Sequence, residues 1–433
     1  MKSDGRSYSL FIAAFVLALL VSACASVQVV EKIDDYAGTV EQLRARLVEN
    51  PRDAESLRDL GVLHFMVKRY DEAADFLQKA LVITNNDTKA IFYLGMSLEG
   101  KGKDEEALAR YRQYVDVAET SPYRTLLEGR FEGLTREVLQ KQMRSLLAQE
   151  GALSYNATVR TAAIFPLTYH GTDPKYQPLG YGMSEMLTVD LGYVEALKLV
   201  ERLRVEALLQ EIKLGASGAV DPSTAPRMGK LLSAERIIGG SLTVTDALDV
   251  RVDIASVRAG TAERSETATQ SDALDNLFQL EKDLVFRLVK EMGISLTRDE
   301  REQIQRRPTG NLQAFLAYSM GLEREALGDF DGASSFYGQA VAIDPTFERA
   351  SGRREKAEAI KIAGTKEKAM SGAEAIEPPP EKDLRGAGSL MTDRLNNLQM
   401  GIGSSFIPGP DSRKPTESVN GELLPEAPKP PQP

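Results

Sequence analysis

Few residues in this chain are equipped for chemistry. Cys24 is the only cysteine, and the two histidines, His64 and His170, lie far apart. A soft-metal site needs several such ligands at set spacings. No metal site is expected, and no disulfide can form within the chain. Gly180-Tyr181-Gly182 precedes a helical pattern, where glycines can bring backbone amides to a phosphate. The third glycine of a dinucleotide fingerprint is missing, because Glu185 holds its place and repels phosphate. The pair therefore reads as a tight start to a helix. There is no phosphate-loop Gly-Lys-Ser, and Ser184 lacks the second glycine of a nucleophile elbow. His170 reads as an exposed loop imidazole. Glu201, Glu206 and Glu211 alternate with Arg202, Arg204 and Lys213, the pattern of a solvated helix face. No catalytic residue and no cofactor is expected, so the chain reads as a non-enzyme.

The thiol itself is the exception. Lys2 and Arg6 open the chain, an apolar run follows from Leu10 to Leu20, and Val21-Ser22-Ala23 precede Cys24. A charged start, an apolar middle and small residues before a cut make a secretory signal peptide. With a cysteine just after the cut, the stretch resembles the bacterial lipobox, in which that cysteine is lipidated and becomes the mature first residue. The expectation is a signal peptide over 1–23, lipidation at Cys24, a tether over 24–39, and a membrane partnership made by the lipid alone. The alternatives are a short membrane anchor with an incidental cysteine and a signal peptide without lipidation. The apolar run is shorter than the roughly 20 residues a span needs, and nothing later approaches that length.

The elements behind this anchor must supply the rest. At 433 residues the chain has room for two or three domains, and 42% hydrophobic content supplies a core. A net charge of −10 excludes non-specific nucleic-acid binding, since phosphates repel it.

Leu60-Gly61 and Leu94-Gly95 are separated by 34 residues, as are Ala73 and Ala107, which is the tetratricopeptide period. Leu57, Leu77 and Ala80 complete the first copy. Ile91 and Tyr111 complete the second, where Tyr114 is larger than the usual alanine. The small residues let paired helices approach closely and the large ones fill the space between. A half repeat over Val40–Val48 closes at Asn50-Pro51. Residues 40–122 are thus assigned to repeats. A one-sided helical stripe from Leu127 to Leu147 reads as a helix capping them within 123–157. A third copy is expected over 311–370, carried by Gly321, Ala333, Tyr337, Ala340 and Pro345.

Between the repeats, residues 158–295 read β-α-β-α-α-β-β-β-α, a mixed sheet covered by helices. Val250, Val252 and Ile254 alternate with polar neighbours, and Thr261–Thr269 reads as a polar edge strand. A charged linker is expected over 296–310. From 371 to 433 proline, glycine and polar residues dominate, as in "LLPEAPKPPQP", and this stretch reads as a disordered tail. The fold class is α+β and multidomain.

The segments "TAAIFPL", "LGYGMSEMLTVDL", "LVERLRVEALLQE", "MGKLLSAERIIGGSLT" and "VRVDIASVRAG", in that order, resemble the CsgG-type lipoprotein family. The family includes the curli-secretion lipoprotein and relatives in holdfast anchoring and flagellar function. The resemblance covers about 140 residues and leaves the repeats outside it. It implies an outer-membrane lipoprotein facing the periplasm and a homo-oligomer through this module. Ala25 after the cysteine resembles outer-membrane sorting. The function expected is a non-catalytic scaffold whose repeat surface holds periplasmic or outer-membrane proteins. A secretion channel is the alternative, and the polar strand 261–269, with no apolar side for lipid, speaks against it. A ligand-binding or enzymatic α/β module is the third reading.

Overall fold

The computed structural model describes residues 36–155, 157–212, 223–264 and 268–376. The expectations for the signal peptide, Cys24, most of the tether and most of the tail fall outside them.

Helical hairpins come first: α1 (Tyr36–Glu49), α2 (Ala54–Met66), α3 (Tyr70–Ile83), α4 (Thr88–Gly100) and α5 (Asp104–Tyr111). Helix α1 begins inside the stretch assigned to the tether. The turns within the hairpins repeat as faithfully as the helices. Seven residues after Gly61, Gly95 and Gly321, the chain turns through a left-handed residue: Lys68 (φ 62°), Gly102 (φ 72°) and Gly328 (φ 78°). Glycine takes that conformation without strain and lysine does not. Helix α5 stops at Tyr111 and passes into a 3₁₀ turn that contains Tyr114, whose ring lies 5.8 Å from that of Phe131. The bulk that mismatched the repeat template coincides with this break.

Helix α6 (Pro122–Ala148) is 27 residues long and starts with proline at its first turn, where no amide is needed. It is followed by a seven-stranded sheet: β1 (Thr158–Ile164), β2 (Thr168–Tyr169), β3 (Lys198–Leu199), β4 (Ala234–Val244), β5 (Asp249–Arg258), β6 (Glu263–Arg264) and β7 (Ala268–Ala273). The spatial order is β3-β1-β4-β5-β6, with β2 also on β4 and β7 also on β5. Strand β1 pairs in parallel with β3 and β4, and β2 in parallel with β4, while β5 pairs antiparallel with β4, β6 and β7. Alternation sorts the side chains. Ala162, Ile164, Ile238, Val250, Val252 and Ile254 face a core shared with α7 (Leu179–Gly192) and α10 (Leu277–Glu291). Ala163, Phe165, Ile237 and Val257 face α8 (Arg202–Ile212), α9 (Ala225–Leu232) and Met143 of α6.

The element order of the α/β region is the expected one with β2 and β6 added. The edge strand is displaced. Its main pairing runs over Ala268–Ala273, where Thr269 Oγ1 donates to Asp253 at 2.5 Å across the ladder. An edge strand held by polar pairs carries little apolar signal, which is why the sequence places it over 261–269. The expected linker contains α11 (Arg298–Ile304), started by a capping box of Thr297 and Glu300.

Helices α12 (Leu312–Ala326) and α13 (Phe330–Ile343) form the downstream hairpin, followed by α14 (Glu348–Ala363) and α15 (Lys366–Ile376). The hairpin is not a separate array. Phe315 of α12 meets Phe278 of α10 edge-on at 5.3 Å, so the hairpin shares the α7–α10 core. Helices α14 and α15 fold back on α6, where Ala363, Ala369 and Ala373 join the core of the first repeats. Helix α15 runs to Ile376, beyond the boundary set for the tail, because its small residues bury against α6: Gly372 leaves no room for a Cβ beside Leu126.

Candidate functional site: the α6 spine and its buried ion pairs

The residues singled out for repeat packing occupy the hairpin interiors. Leu60, Ala73, Ala80, Leu94, Ala107, Ala333 and Ala340 are almost wholly buried. A Cβ on Gly61 would come within 3.0 Å of Leu77, and one on Gly95 or Gly321 within 3.0 Å of Tyr111 or Tyr337. Pro345 is exposed and does not pack; Phe347, two residues on, fills the place against the Tyr318 ring at 4.8 Å. Proline there ends a helix, and ending a helix requires no burial.

Gly180 and Gly182 stand in the first turn of α7. Both lie inside α7, where a Cβ would strike the Leu167 carbonyl or Ser319 and Phe315 of α12. They are close-approach positions. His170 is exposed, and its amide bonds the Leu242 carbonyl at 2.9 Å. His64 is buried, stacked on Phe76 at 5.3 Å and bonded to the Tyr36 hydroxyl at 3.2 Å. Among the described residues no group of three His, Cys, Asp or Glu could hold a metal ion, and no helix is long and apolar enough to cross a membrane.

A device missed in the sequence repeats in the second and third hairpins: Gly-x3-Glu-x11-Tyr, as Gly95, Glu99 and Tyr111, and as Gly321, Glu325 and Tyr337. In both, the tyrosine hydroxyl donates to the glutamate at 2.6 Å, and both rings are buried. The first hairpin has Phe65 and Leu77 at those places and is apolar. A buried carboxylate requires a cationic partner, and helix α6 provides one for each. Arg130, fully buried, grips Glu99 through Nε at 2.8 Å and Nη2 at 2.9 Å, and also donates to the Gly364 carbonyl at the end of α14. Arg136, under two turns further on, bonds Glu325 at 2.6 Å.

Glu325 is the hub of a wider cluster. Arg202 of α8 reaches it at 2.7 Å and Arg353 of α14 at 3.1 Å. Arg353 also holds Glu185 of α7 at 2.8 Å, and Arg202 pairs with Glu206. This corrects the reading of Arg202 and Glu206 as a solvated face. Their helix turns that side toward the third hairpin, whose position no local pattern revealed. Burial alone would raise the Glu325 carboxyl; the guanidinium groups of Arg202, Arg353 and Arg136 outweigh it and hold Glu325 well below the usual carboxylate range. Glu185 is likewise lowered by Arg353 and Arg202 against its burial. For Glu206 burial wins, and its carboxyl is raised despite Arg202. One of its oxygens has no hydrogen bond and sits 3.6 Å from Arg136. A cavity of about 450 Å³ opens over this cluster.

The arrangement is a clamp. Arginines do not exchange protons in this range, and the carboxylates here are gripped by them. Five helices, α6, α7, α8, α12 and α14, meet at one set of charges. Where α6 crosses α14 the two backbones touch: a Cβ on Gly129 or Gly133 would come within 3.0 Å of the carbonyls of Ala359 or Gly364.

Comparison with known proteins agrees with the sheet region. Residues 157–260 match the family model of CsgG, described as the curli production assembly/transport component. Among solved structures, the chain is similar to the LpoB C-terminal domain from Salmonella enterica, with 11% identity, 30% of this chain and 95% of that one covered, and a TM-score of 0.23. No curated protein matches the chain. The matched segment runs from the start of β1 to just past β5, includes α7, α8 and α9, and lies between the helical hairpins.

Proposed function

We propose that this protein is a lipid-anchored, non-catalytic assembly scaffold on the periplasmic face of the outer membrane. Cys24 carries the anchor, the CsgG-type domain supplies the contact for a homo-oligomer, and the hairpin surfaces hold envelope or secretion proteins. The observation that supports this reading best is the α6 spine. A 27-residue helix is bonded to the second hairpin through Arg130 and Glu99 and to the third through Arg136 and Glu325. Its C-terminal half packs on the CsgG-type domain through Met143. Rigid coupling of this kind fixes binding surfaces relative to an assembling module, which is what a scaffold requires. The family description, a curli production assembly/transport component, is of the same kind.

The test is fractionation of the full chain and of Cys24→Ser, followed by crosslinking in native membranes. The expected result is membrane association that Cys24→Ser abolishes, with crosslinks to envelope proteins and between copies. Tight membrane association of Cys24→Ser, together with ion conductance in planar bilayers, is the result that would sink the reading in favour of a channel.

A further inference from the structure

A second cavity, of about 290 Å³, lies on the other side of Glu185 and Tyr318. Its walls come from α7, α10, the end of α11 and the segment after it, α12 and the start of α14. Two of the carboxylates lining it are already engaged. Glu185 is held by Arg353 at 2.8 Å, and Asp190 accepts from Lys282 Nζ. Beneath them Glu281 is fully buried, 3.2 Å from the same Nζ. Burial and then the Asp190 charge push Glu281 up to about 8. Three arginines lining the cavity are different. Among the described residues, none of Arg306, Arg307 and Arg349 has a carboxylate within 4.0 Å, and Arg307 donates to the Gln279 amide oxygen at 3.3 Å. Among the described residues, the lining carboxylate without an ion pair is Glu348. The wall therefore carries two surplus positive charges in a chain whose net charge is −10.

We propose that this cavity binds a phosphate monoester, held by Arg306, Arg307 and Arg349. Guanidinium forks match phosphate oxygens in pairs. A phosphate monoester carries about −1.5 to −2 near neutral pH, which meets the surplus, whereas one carboxylate meets half of it. The ligand is either a soluble phosphate ester or the headgroup of a lipid such as phosphatidic acid. The site does not depend on the scaffold reading and stands or falls separately from it.

The test is calorimetric titration of the full chain with glycerol 3-phosphate, alongside flotation of the Cys24→Ser chain with vesicles of phosphatidic acid or of phosphatidylcholine. Saturable one-to-one binding is expected, weakened about tenfold or more by Arg306→Ala with Arg307→Ala and again by Arg349→Ala. Arg306 and Arg307 are exposed, so their removal leaves the fold intact. The exposed Arg52→Ala, on the first repeats, is expected to bind like the unaltered protein. Flotation with phosphatidic acid alone, lost in the double variant, assigns the lipid headgroup; titration without flotation assigns a soluble ester. Absence of binding in both arms, equal affinity in the double variant, or citrate binding as tightly as the ester would overturn the proposal.

Discussion

Replacing Glu325 by alanine removes the one carboxylate that three helices share. Arg353 keeps Glu185 at 2.8 Å, and Arg202 keeps Glu206. Arg136 keeps only Glu206 at 3.6 Å, and the Tyr337 hydroxyl loses its acceptor. Breaking a buried pair from one side costs about 3–5 kcal/mol, most of it from the charge left behind. Arg136 and Arg353 retain some contact with solvent, at 18% and 24% side-chain exposure, which argues for the middle of that range. The expected cost is about 4 kcal/mol, a large share of the ~5–15 kcal/mol that holds a domain together. The loss belongs to the seam, so hydrogen exchange should accelerate first in α8, α12 and α14 while β4 and β5 keep their protection. A double-mutant cycle with Arg136→Ala sharpens the test. In the double variant the stranded guanidinium is gone, so the two losses should fall short of adding by about 1–3 kcal/mol. A cost below about 1 kcal/mol, the size of a surface pair, or strict additivity would refute the clamp. The pH dependence has a defined sign. Glu325 and Glu185 have folded values below their ordinary 4.5, so their stabilisation is present above about 4.5 and fades as the pH falls toward the folded values. Glu206 is raised and works the other way, favouring the fold less as the pH climbs through 4.5 to its folded value.

Other expectations can be checked by equilibrium unfolding. Gly133→Ala forces a Cβ against the Gly364 carbonyl and should cost about 1–3 kcal/mol, with α14 and α15 losing protection in hydrogen exchange. Lys68→Gly relieves a left-handed lysine that the equivalent turns fill with Gly102 and Gly328, and should stabilise the first hairpin by about 1 kcal/mol. Glu281, ordinarily near 4.5, is raised to about 8 by its burial and then by the Asp190 charge, against Lys282, and so removes stability as the pH rises between those values; the charge of Arg349 also acts on Asp190. Glu281→Gln should therefore melt above the unaltered protein at pH 8, and the gap should close toward pH 5. Thr297→Ala removes the capping box of α11 and should cost about 1 kcal/mol.

Local patterns determined much of this molecule. The 34-residue period placed the helical hairpins, because a small residue facing a large one is a requirement that each pair meets within itself: Gly61 against Leu77, Gly95 against Tyr111, Gly321 against Tyr337. Alternation placed β5, and ordered segments within 158–295 pointed to the CsgG-type family, whose model the comparison matched over 157–260 and not beyond. What the sequence carried but left unread was the glutamate and tyrosine added to the second and third hairpins, and the Thr297 capping box. Tertiary structure alone decided the rest. Arg202 and Glu206 have the spacing of a solvated face and became part of a buried cluster because α12 and α14 lie against it. Gly129 and Gly133 look like ordinary breaks in a helical stripe until α14 crosses them with its carbonyls. A residue's periodicity records which side of its own helix it is on; what covers that side is set by chain that can be more than a hundred residues away, and for α6 that cover came from α14 and α15, which follow the last hairpin.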